Sequence, residues 1–396
     1  MRRLRLVTAG ESHGPGLTAI LSGLPAGLRV DLARLEREMA RRQHGHGRGR
    51  RMQIESDRVE IRGGVRAGET LGSPLALWIE NRDYANWERA MAPDPAAIDP
   101  EFAELRRLRS PRPGHADLAG GIKYHRRDLR DVLERASARE TAARVAAGAF
   151  ARMLLAEAGV EIASGVRSLG PLGASDPVPG WDEVSKVDDG SPLRAIRKEL
   201  EPEMVALVDE AKAKGDTLGG SATVVARGVP AGLGSYVAWD EKLDGRIARA
   251  MLAIPAVKGV EIGAAIAAAS GFGSVAHDPI EVEEGGGFRR PTNRAGGLEG
   301  GVTNGEDVVV TIYKKPISTL REGLPSVDLD TMEPHAAQYE RSDVTALPAA
   351  GVIAEAMLAL VLADALLEKL GGDSMAELLA HLEATRALQR AWPPQP

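Results

Sequence analysis

The stretch Arg135-Ala-Ser-Ala-Arg-Glu-Thr-Ala-Ala-Arg-Val-Ala-Ala-Gly-Ala149 combines a helix-start signal with a cluster of arginines. Ser137 and Glu140 have the Ser-x-x-Glu spacing of a capping box, which predicts an Ala-rich helix from Ser137 to about Ala158. The three arginines crowd the N-terminal end of that helix, where the backbone already carries partial positive charge. The pattern predicts a bound anion at this end, and the alternative is a surface helix with scattered charge.

Outward from this helix, hydrophobic runs and turn signals predict many short strands flanked by helices. The predicted strands cover 4–9, 17–24, 59–62, 75–79, 221–227 and 307–313. The other predicted helices cover 31–42, 197–213, 240–252 and 349–370, and a last one starts at Ser374. Residues 81–126 are predicted to be polar and irregular. The mixture lacks a regular strand–helix alternation and therefore predicts an α+β fold.

The chain offers no clean domain boundary, so we expect a single domain over residues 1–396. A segment rich in Gly, Pro and Asp predicts an exposed excursion near 168–192. The C-terminal end is expected to fray near 388–396.

Composition excludes several classes of protein. There is no cysteine, which rules out disulfides and thiolate nucleophiles. The net charge is −6, divided into +8 for residues 1–152, where Arg supplies nearly all the cations, and −14 for the rest. The Arg-rich part suits carboxylates and phosphates, whereas the acidic remainder argues against nucleic-acid binding. We find no apolar run of the ~18–20 residues that a membrane helix needs and no secretory signal, so we expect a soluble cytoplasmic protein.

Two histidines stand in glycine-containing turns. His13 lies in Gly10-Glu-Ser-His-Gly14, where flanking glycines permit close approach of a ligand. This motif also matches the nucleophile elbow of hydrolases, but that elbow needs a strand–turn–helix, and here a strand is predicted to follow. His115 lies in Arg112-Pro-Gly-His-Ala-Asp117, and it is either part of a simple turn or an acid–base group beside an arginine.

Three further segments could take part in binding or catalysis. The loop 43–51 combines three glycines with three arginines and suits an anion, and it predicts no metal site. The stretch Gly296–Gly305, followed by Lys314-Lys-Pro-Ile-Ser-Thr319, offers backbone N–H groups, hydroxyls and lysines for a phosphate or a flavin edge. Asp343, just before the predicted apolar helix, is either a helix cap or a functional carboxylate.

Taken together, these motifs resemble those of the chorismate synthase family over nearly the whole chain and in the family's order. The resemblance implies a β-α-β sandwich with helices between antiparallel sheets, assembled as a homotetramer. It implies a lyase of the shikimate pathway that converts 5-enolpyruvylshikimate 3-phosphate to chorismate by anti-1,4 elimination of phosphate. Reduced FMN (FMNH2) would be required although the reaction has no net redox change.

The resemblance also implies roles for individual residues. His13 would protonate the departing phosphate, His115 would donate a proton toward the reduced flavin, and Asp343 would be the base at flavin N5. Positions that match the flavin-binding segments are Arg135, Ala136, Ser137, Pro255, Ala256, Gly300, Lys315, Pro316, Ile317, Ser318, Thr319 and Arg341. Positions that match sites for substrate anions or NADP are Arg42, Arg48, Arg51, Arg112 and Arg139, and here we favour the substrate.

Bacterial members of the family usually take reduced FMN from an external source, so no NADPH-dependent flavin reductase activity is expected here. Two other readings of the motifs remain, a hydrolase that uses Ser12 and a non-catalytic Arg-loop binder of RNA or nucleotide. Neither would require a flavin.

Overall fold

Two four-stranded antiparallel sheets enclose a pair of helices in the computed structural model, which describes residues 3–49, 57–282, 287–340 and 342–392. The first sheet has the strand order Arg5–Ala9, Gly16–Ser22, Leu75–Glu80 and Val59–Gly63. The second sheet has the order Glu161–Leu169, Gly220–Arg227, Val308–Lys314 and Val257–Ile262. Short hairpins join Val65–Arg66 to Glu69–Thr70, Glu281–Val282 to Phe288–Arg289, Leu298–Glu299 to Val302–Thr303, and Pro325–Val327 to Pro334–Ala336.

The described α-helices are Leu32–Gln43, Glu88–Met91, Pro100–Arg106, Asp117–Tyr124, Arg130–Ala136, Thr141–Glu157, Trp181–Val184, Glu201–Ala213, Leu243–Leu252, Ala265–Ala269, Gly273–Ala276, Leu347–Leu370 and Met375–Arg390. Short 3-10 turns cover Arg82–Asn86, Pro95–Ala97, Ala138–Glu140 and Lys198–Leu200.

The two central helices, Thr141–Glu157 and Leu347–Leu370, form the middle of the sandwich. The first packs against strands of the first sheet, the second packs against strands of the second sheet, and the two helices pack against each other. A Cβ atom at Gly148 would lie 2.4 Å from the Cβ of Ala356, so the absence of a side chain at Gly148 lets the helices approach closely. This arrangement confirms the predicted α+β sandwich with helices between antiparallel sheets.

The second central helix is, within the described part of the chain, the one helix whose length and composition would allow it to cross a membrane. The expectation that no apolar run reaches this length was therefore wrong. However, 94% of its apolar window is buried inside the protein. The helix also carries Glu355 and Asp364, whose carboxylates accept hydrogen bonds from arginines and backbone N–H groups. It is a core helix and not a membrane span.

The predicted capping box at Ser137 and Glu140 does not form. Ser137 Oγ accepts a hydrogen bond from the backbone of Arg139 at the head of a 3-10 turn, and the first central helix begins only at Thr141. Glu140 instead accepts a hydrogen bond from Thr8 Oγ1 at 2.6 Å on the first sheet. A long-range contact has replaced the local one.

Residues 81–126 were wrongly predicted to be irregular. They contain three short helices, of which Pro100–Arg106 is capped by Asp99 and has proline in its first turn. The helix Arg130–Ala136 and the strand Val257–Ile262 were also missed. Within the segment 168–192, Trp181–Val184 is helical and Val184 is buried against the second sheet. The last helix continues to Arg390, and residues 393–396 of the predicted frayed end lie outside the described residues.

Candidate active site

His13 is held in the turn between the first two strands of the first sheet. Its Nδ1 lies 2.8 Å from Glu134 Oε1, and its backbone N–H donates to Glu134 Oε2 at 2.6 Å. The imidazole stacks on Trp87, with 4.0 Å between the ring centroids. A strand follows this turn, so the strand–turn–helix that a nucleophile elbow at Ser12 requires is not formed.

Glu134 provides a buried negative charge for His13. Burial alone would raise the pKa of Glu134, but the hydrogen bonds from His13 and the nearby Arg130 outweigh burial and lower it. A carboxylate in this position fixes the orientation of the ring, which leaves Nε2 as the candidate proton donor.

His115 has an analogous buried partner. Its Nδ1 lies 2.5 Å from Asp117 Oδ1, and Arg112 holds both oxygens of the same carboxylate at 2.8 and 3.0 Å. Burial would raise the pKa of Asp117, yet the hydrogen bonds from His115 and Arg112 lower it well below its usual range. The turn thus holds the His115 imidazole against an ionised carboxylate that Arg112 also binds.

Asp343 lies on the segment that leads into the second central helix. Arg48 Nη1 is 3.1 Å from Asp343 Oδ2, and the backbone N–H of Gly49 donates to Oδ1 at 2.6 Å. A Cβ at Gly49 would meet Oδ1 at 3.3 Å, so the close approach of the loop favours glycine. Asp343 is thus bound to the arginine loop and does not cap the helix, whose N-cap residue is Ala346.

Two buried cations lie near Asp343. Arg42 Nη1 is 3.3 Å from Asp57, but its Nε and Nη1 make no hydrogen bond within the described residues. Burial lowers the pKa of Arg42 to about 10; Asp57 opposes the shift, whereas Arg139 and Arg48 add to it.

Lys314 is the second of these cations, at a register shift where the strand Val308–Lys314 ends. Its ammonium group makes no hydrogen bond or ion pair with a described residue. Burial lowers the pKa of Lys314 to about 8, opposed by Asp343 and reinforced by Arg48. Because burying a cation whose charge is not fully compensated is costly, Arg42 and Lys314 together make this region suited to an anion.

A polar chain connects the His13 turn to this pair of cations. Asn81 Nδ2 donates to the carbonyl of Gly14 at 2.8 Å, and Asn81 Oδ1 accepts from Arg139 Nε at 2.9 Å. Arg139 in turn pairs with Asp57, the partner of Arg42. His13 and Arg42, which are 29 positions apart in sequence, are thus joined through residues that flank strands of the first sheet and through the 3-10 turn before the first central helix.

The arginines of the opening stretch are held by oxygens of this chain. Arg139 binds Asp57, and Arg144 binds Glu140 at 2.8 Å. Arg135 donates to the carbonyls of Thr8 and Gly10, which anchors the His13 turn. Carboxylates of the chain therefore offset part of the positive charge at the start of this helix.

The segments predicted to bind flavin partly converge on the His115 turn. Lys315 Nζ donates to the carbonyl of Gly114 at 2.7 Å, and its backbone N–H donates to Ala256 at 3.0 Å. Thr319 Oγ1 accepts from Arg112 Nη1 at 3.0 Å. Ser137 belongs to another segment predicted to bind flavin, residues 135–137. It lies instead beside the His13 turn, where Ser12 Oγ donates to Ser137 Oγ at 3.1 Å.

One described residue of the predicted flavin site lies apart from these groups. Gly300 lies in the turn of the hairpin 298–303, and the contacts given for that turn join it to residues 234–243. Arg51 and Arg341 lie outside the described residues, so their predicted roles are not tested.

Sequence reasoning missed the partners that hold the site. Glu134 was quoted in no motif, and Asp57 and Asn81 lie in stretches that carry no recognisable pattern. Lys314 was quoted only as the first residue of the lysine motif. Its position at the end of a buried strand, next to a second lysine, was the one available signal.

Comparisons with known proteins agree on one family. The family model described as chorismate synthase matches residues 4–367. The chorismate synthase of Moorella thermoacetica is 54% identical over 97% of this chain and 98% of its own length. That of Thermus thermophilus is 53% identical over 98% of this chain and 100% of its own. A crystal structure of chorismate synthase superposes with a TM-score of 0.78 at 42% identity, covering 99% of this chain and 100% of that one.

Proposed function

Since this chain belongs to the chorismate synthase family, we propose that His13, His115 and Asp343, with the cations between them, form its active site. Family membership makes the chain a lyase of the shikimate pathway, which eliminates phosphate from 5-enolpyruvylshikimate 3-phosphate in the anti-1,4 sense to give chorismate. One observation supports the assignment of the site more than any other. Each of the three residues, from distant parts of the chain, is held by a charged side chain: Glu134, Asp117 and Arg48 respectively.

The substrate carries two carboxylates and a phosphate, and Arg42 and Lys314 are suited to bind one of these anions. Both are buried, and neither has its charge fully compensated within the described residues. Arg48, Arg112 and Arg139 hold carboxylates of the chain, so we assign them to shaping the site as well as to contacting the substrate. Arg51 belongs to the same proposal through its position in the loop.

Reduced FMN fits the residues around Lys315. Burial lowers the pKa of Lys315, and the charge of Lys258 adds to the shift. No described carboxylate forms an ion pair with either ammonium group, so a phosphate would relieve their repulsion. Ser318 and Thr319 supply hydroxyls beside them, and the Pro255–Ala256 turn lies against Lys315. We assign the remaining contacts to Arg135, Ala136, Ser137, Gly300 and Arg341. When bound, reduced FMN supplies electron density to the substrate while phosphate leaves.

The residues of the chain donate and accept the protons of the reaction. His13, with Nδ1 on Glu134, donates a proton from Nε2 to the departing phosphate. His115, with Nδ1 on Asp117, holds a proton at Nε2 and directs it toward the flavin site. Asp343 is the final acceptor of the proton from C6, and Arg48 and the N–H of Gly49 hold its carboxylate in place. Each such proton transfer contributes about 10²–10⁴-fold to the rate.

Anaerobic turnover tests this proposal. Phosphate release from 5-enolpyruvylshikimate 3-phosphate is followed with dithionite-reduced FMN, with oxidised FMN and without flavin, and we expect turnover only in the first reaction. His13→Ala and His115→Ala should each lower turnover at least about tenfold while substrate still binds. Asp343→Asn should retain FMN and lose activity. Equal phosphate release without flavin, or turnover like that of the parent protein in both histidine variants, would refute the site.

We also propose that the enzyme is cytoplasmic, that it takes reduced flavin from an external source, and that it has no NADPH-dependent flavin reductase activity of its own. The proposal rests on the bacterial relatives and predicts no NADPH oxidation when FMN and the purified enzyme are mixed. Measurable NADPH-dependent FMN reduction would contradict it.

A homotetramer is the assembly we propose. Large apolar side chains are exposed in the loop before the helix Leu243–Leu252, including Tyr236 and Trp239, of which Trp239 is 87% exposed. Exposed apolar groups that cluster on one loop are typical of a protein interface. Sedimentation velocity should give about four times the mass of the chain, and Trp239→Ser should shift the distribution to smaller species. A monomer at micromolar concentration would contradict the proposal.

A further inference from the structure

A cationic cavity of about 370 Å³ is lined by residues other than those of the candidate active site. One wall is a face of the helix Leu32–Gln43 and the other is the segment 184–194. Arg152 of the first central helix also lines it. None of the residues assigned to catalysis, substrate or flavin contributes to its lining. Its volume is in the range of pockets that hold small metabolites.

Three of the lining arginines are compensated by carboxylates. Arg41, Arg152 and Arg194 converge on Glu355, which is fully buried at the base of the cavity; Arg41 lies 2.6 Å and Arg194 3.5 Å from it. Glu38 and Asp189 supply the other two negative charges, at 2.7 and 2.8 Å from Arg41. This group is electrically balanced and forms a rigid floor.

Arg34 lacks such compensation. Its guanidinium lines the cavity and is half-buried, but it makes no hydrogen bond or ion pair with a described residue. Burial lowers the pKa of Arg34, and Arg152 adds to the shift while Glu38 opposes it. Arg37, one turn along the helix, has only a loose 3.7 Å contact with Asp31. Two arginines at the mouth therefore lack a close anionic partner, and Arg152 Nε is buried without a hydrogen-bond partner within the described residues.

The opposite wall is partly apolar: it includes the half-buried Val187 beside the buried Ile162 and Val184. A cavity with cations on one side and aliphatic groups on the other matches a ligand that has an anionic head and an apolar body. Inorganic phosphate would leave the apolar wall uncovered, and an uncharged apolar molecule would leave Arg34 uncompensated.

We propose that this cavity is a binding site for a small organic anion, with its carboxylate or phosphate on Arg34 and Arg37 and its apolar body against Val187. The site is separate from the proposed active site, so its assignment does not depend on the mechanism above.

Isothermal titration calorimetry at constant ionic strength tests the proposal with phenyl phosphate, benzoate, inorganic phosphate and phenol. We expect one of the two organic anions to bind more tightly than inorganic phosphate and phenol, and their order identifies the preferred head group. Arg34→Gln should weaken that binding about 10- to 100-fold, as expected for loss of a charge-assisted hydrogen bond. Arg390→Gln, which removes the same charge from an exposed position on the last helix, should leave it unchanged.

A second variant tests the same site in case Arg34→Gln fails to fold. Ser185 is exposed and lines the cavity, so Ser185→Glu should place a carboxylate near Arg34 and abolish binding without disturbing the core. Three results would overturn the proposal: no binding by either organic anion, equal affinity in the parent protein and Arg34→Gln, or displacement of the probe by 5-enolpyruvylshikimate 3-phosphate. The last result would place the probe in the active site instead.

Discussion

Replacing Glu134 by Gln tests whether a buried carboxylate positions His13. Glu134 is 1% exposed and accepts two hydrogen bonds from His13, one from the ring and one from the backbone. Glutamine keeps the shape of the side chain but has one acceptor oxygen and no charge. The variant therefore loses at least one charge-assisted hydrogen bond, worth about 1.5–3 kcal/mol. If that energy is lost from the protonated form of His13, the rate should fall about 10- to 100-fold.

Steady-state kinetics with reduced FMN should show the loss in kcat, with KM for the substrate changed by less than about threefold, because the Glu134 side chain is only 1% exposed. Glu134→Asp restores the charge but shortens the side chain, so it should recover part of kcat. Glu340→Gln is the matched control, since Glu340 binds Arg130 at 2.6 Å and does not contact His13. A Glu134→Gln enzyme with the kcat of the parent protein, or a loss of the same size in Glu340→Gln, would refute the reasoning.

The same variant has a pH signature in stability. Because the pKa of Glu134 is lowered in the folded state, its ionised form stabilises the fold above the ordinary carboxyl pKa of about 4.3. This stabilisation disappears as the pH falls through the folded-state value. The difference in unfolding free energy between the parent protein and Glu134→Gln should therefore be largest near neutral pH and shrink in acid. A difference that does not change with pH would contradict an ionised Glu134.

Three other substitutions test the core and the electrostatics. Gly148→Ala should destabilise the fold by about 1–3 kcal/mol in urea unfolding because the new Cβ would overlap Ala356. The control is Gly245→Ala, which lies in open space on another helix and should be neutral or stabilising. Equal effects of the two substitutions would contradict the packing argument. Glu355→Gln should cost about 3–5 kcal/mol, since it leaves three arginines around a neutral group; a loss below about 1 kcal/mol would contradict the balanced floor. The pKa of Lys314 is lower in the folded chain than in the unfolded chain, so between pH 8 and about 10.4 only the unfolded chain binds the proton. The parent protein should therefore gain stability over this pH range, and Lys314→Met should not. Identical pH profiles of the two proteins would show that Lys314 titrates normally.

Local signals predicted the long elements well. The helix predicted at 349–370 is observed as Leu347–Leu370, and the one predicted at 31–42 is Leu32–Gln43, with Asp31 accepting from the backbone of Arg34. Ser374 and Glu377 form a capping box at the last helix. In these cases the sequence pattern and the tertiary structure favour the same conformation, because the apolar face or the cap is encoded within a few residues.

The predictions failed where a distant contact determines the structure. Ser137 and Glu140 have the same spacing as the capping box at Ser374, yet Glu140 binds Thr8 on the first sheet. The partner of His13 is 121 positions away, and the order of strands within each sheet follows from non-local pairing. The histidines and Asp343 could be proposed from motifs and family resemblance, whereas Glu134, Asp57 and Asn81 required coordinates.

The arginines illustrate why composition alone could not locate the anions. The Arg-rich half of the sequence suggested several anion sites, but most of the arginines named above bind carboxylates of the chain itself, as Arg139 binds Asp57 and Arg112 binds Asp117. A paired guanidinium positions a group or a segment, and its charge is largely cancelled for an incoming ligand. The cations whose charge is not fully compensated within the described residues are therefore more informative than the total. Arg42 and Lys314 mark the proposed substrate site, and Arg34 marks the cationic cavity. Substitution of these cations should weaken anion binding at both places, whereas substitution of exposed arginines elsewhere should not. That result would show that charge compensation, rather than arginine content, determines where this protein binds anions.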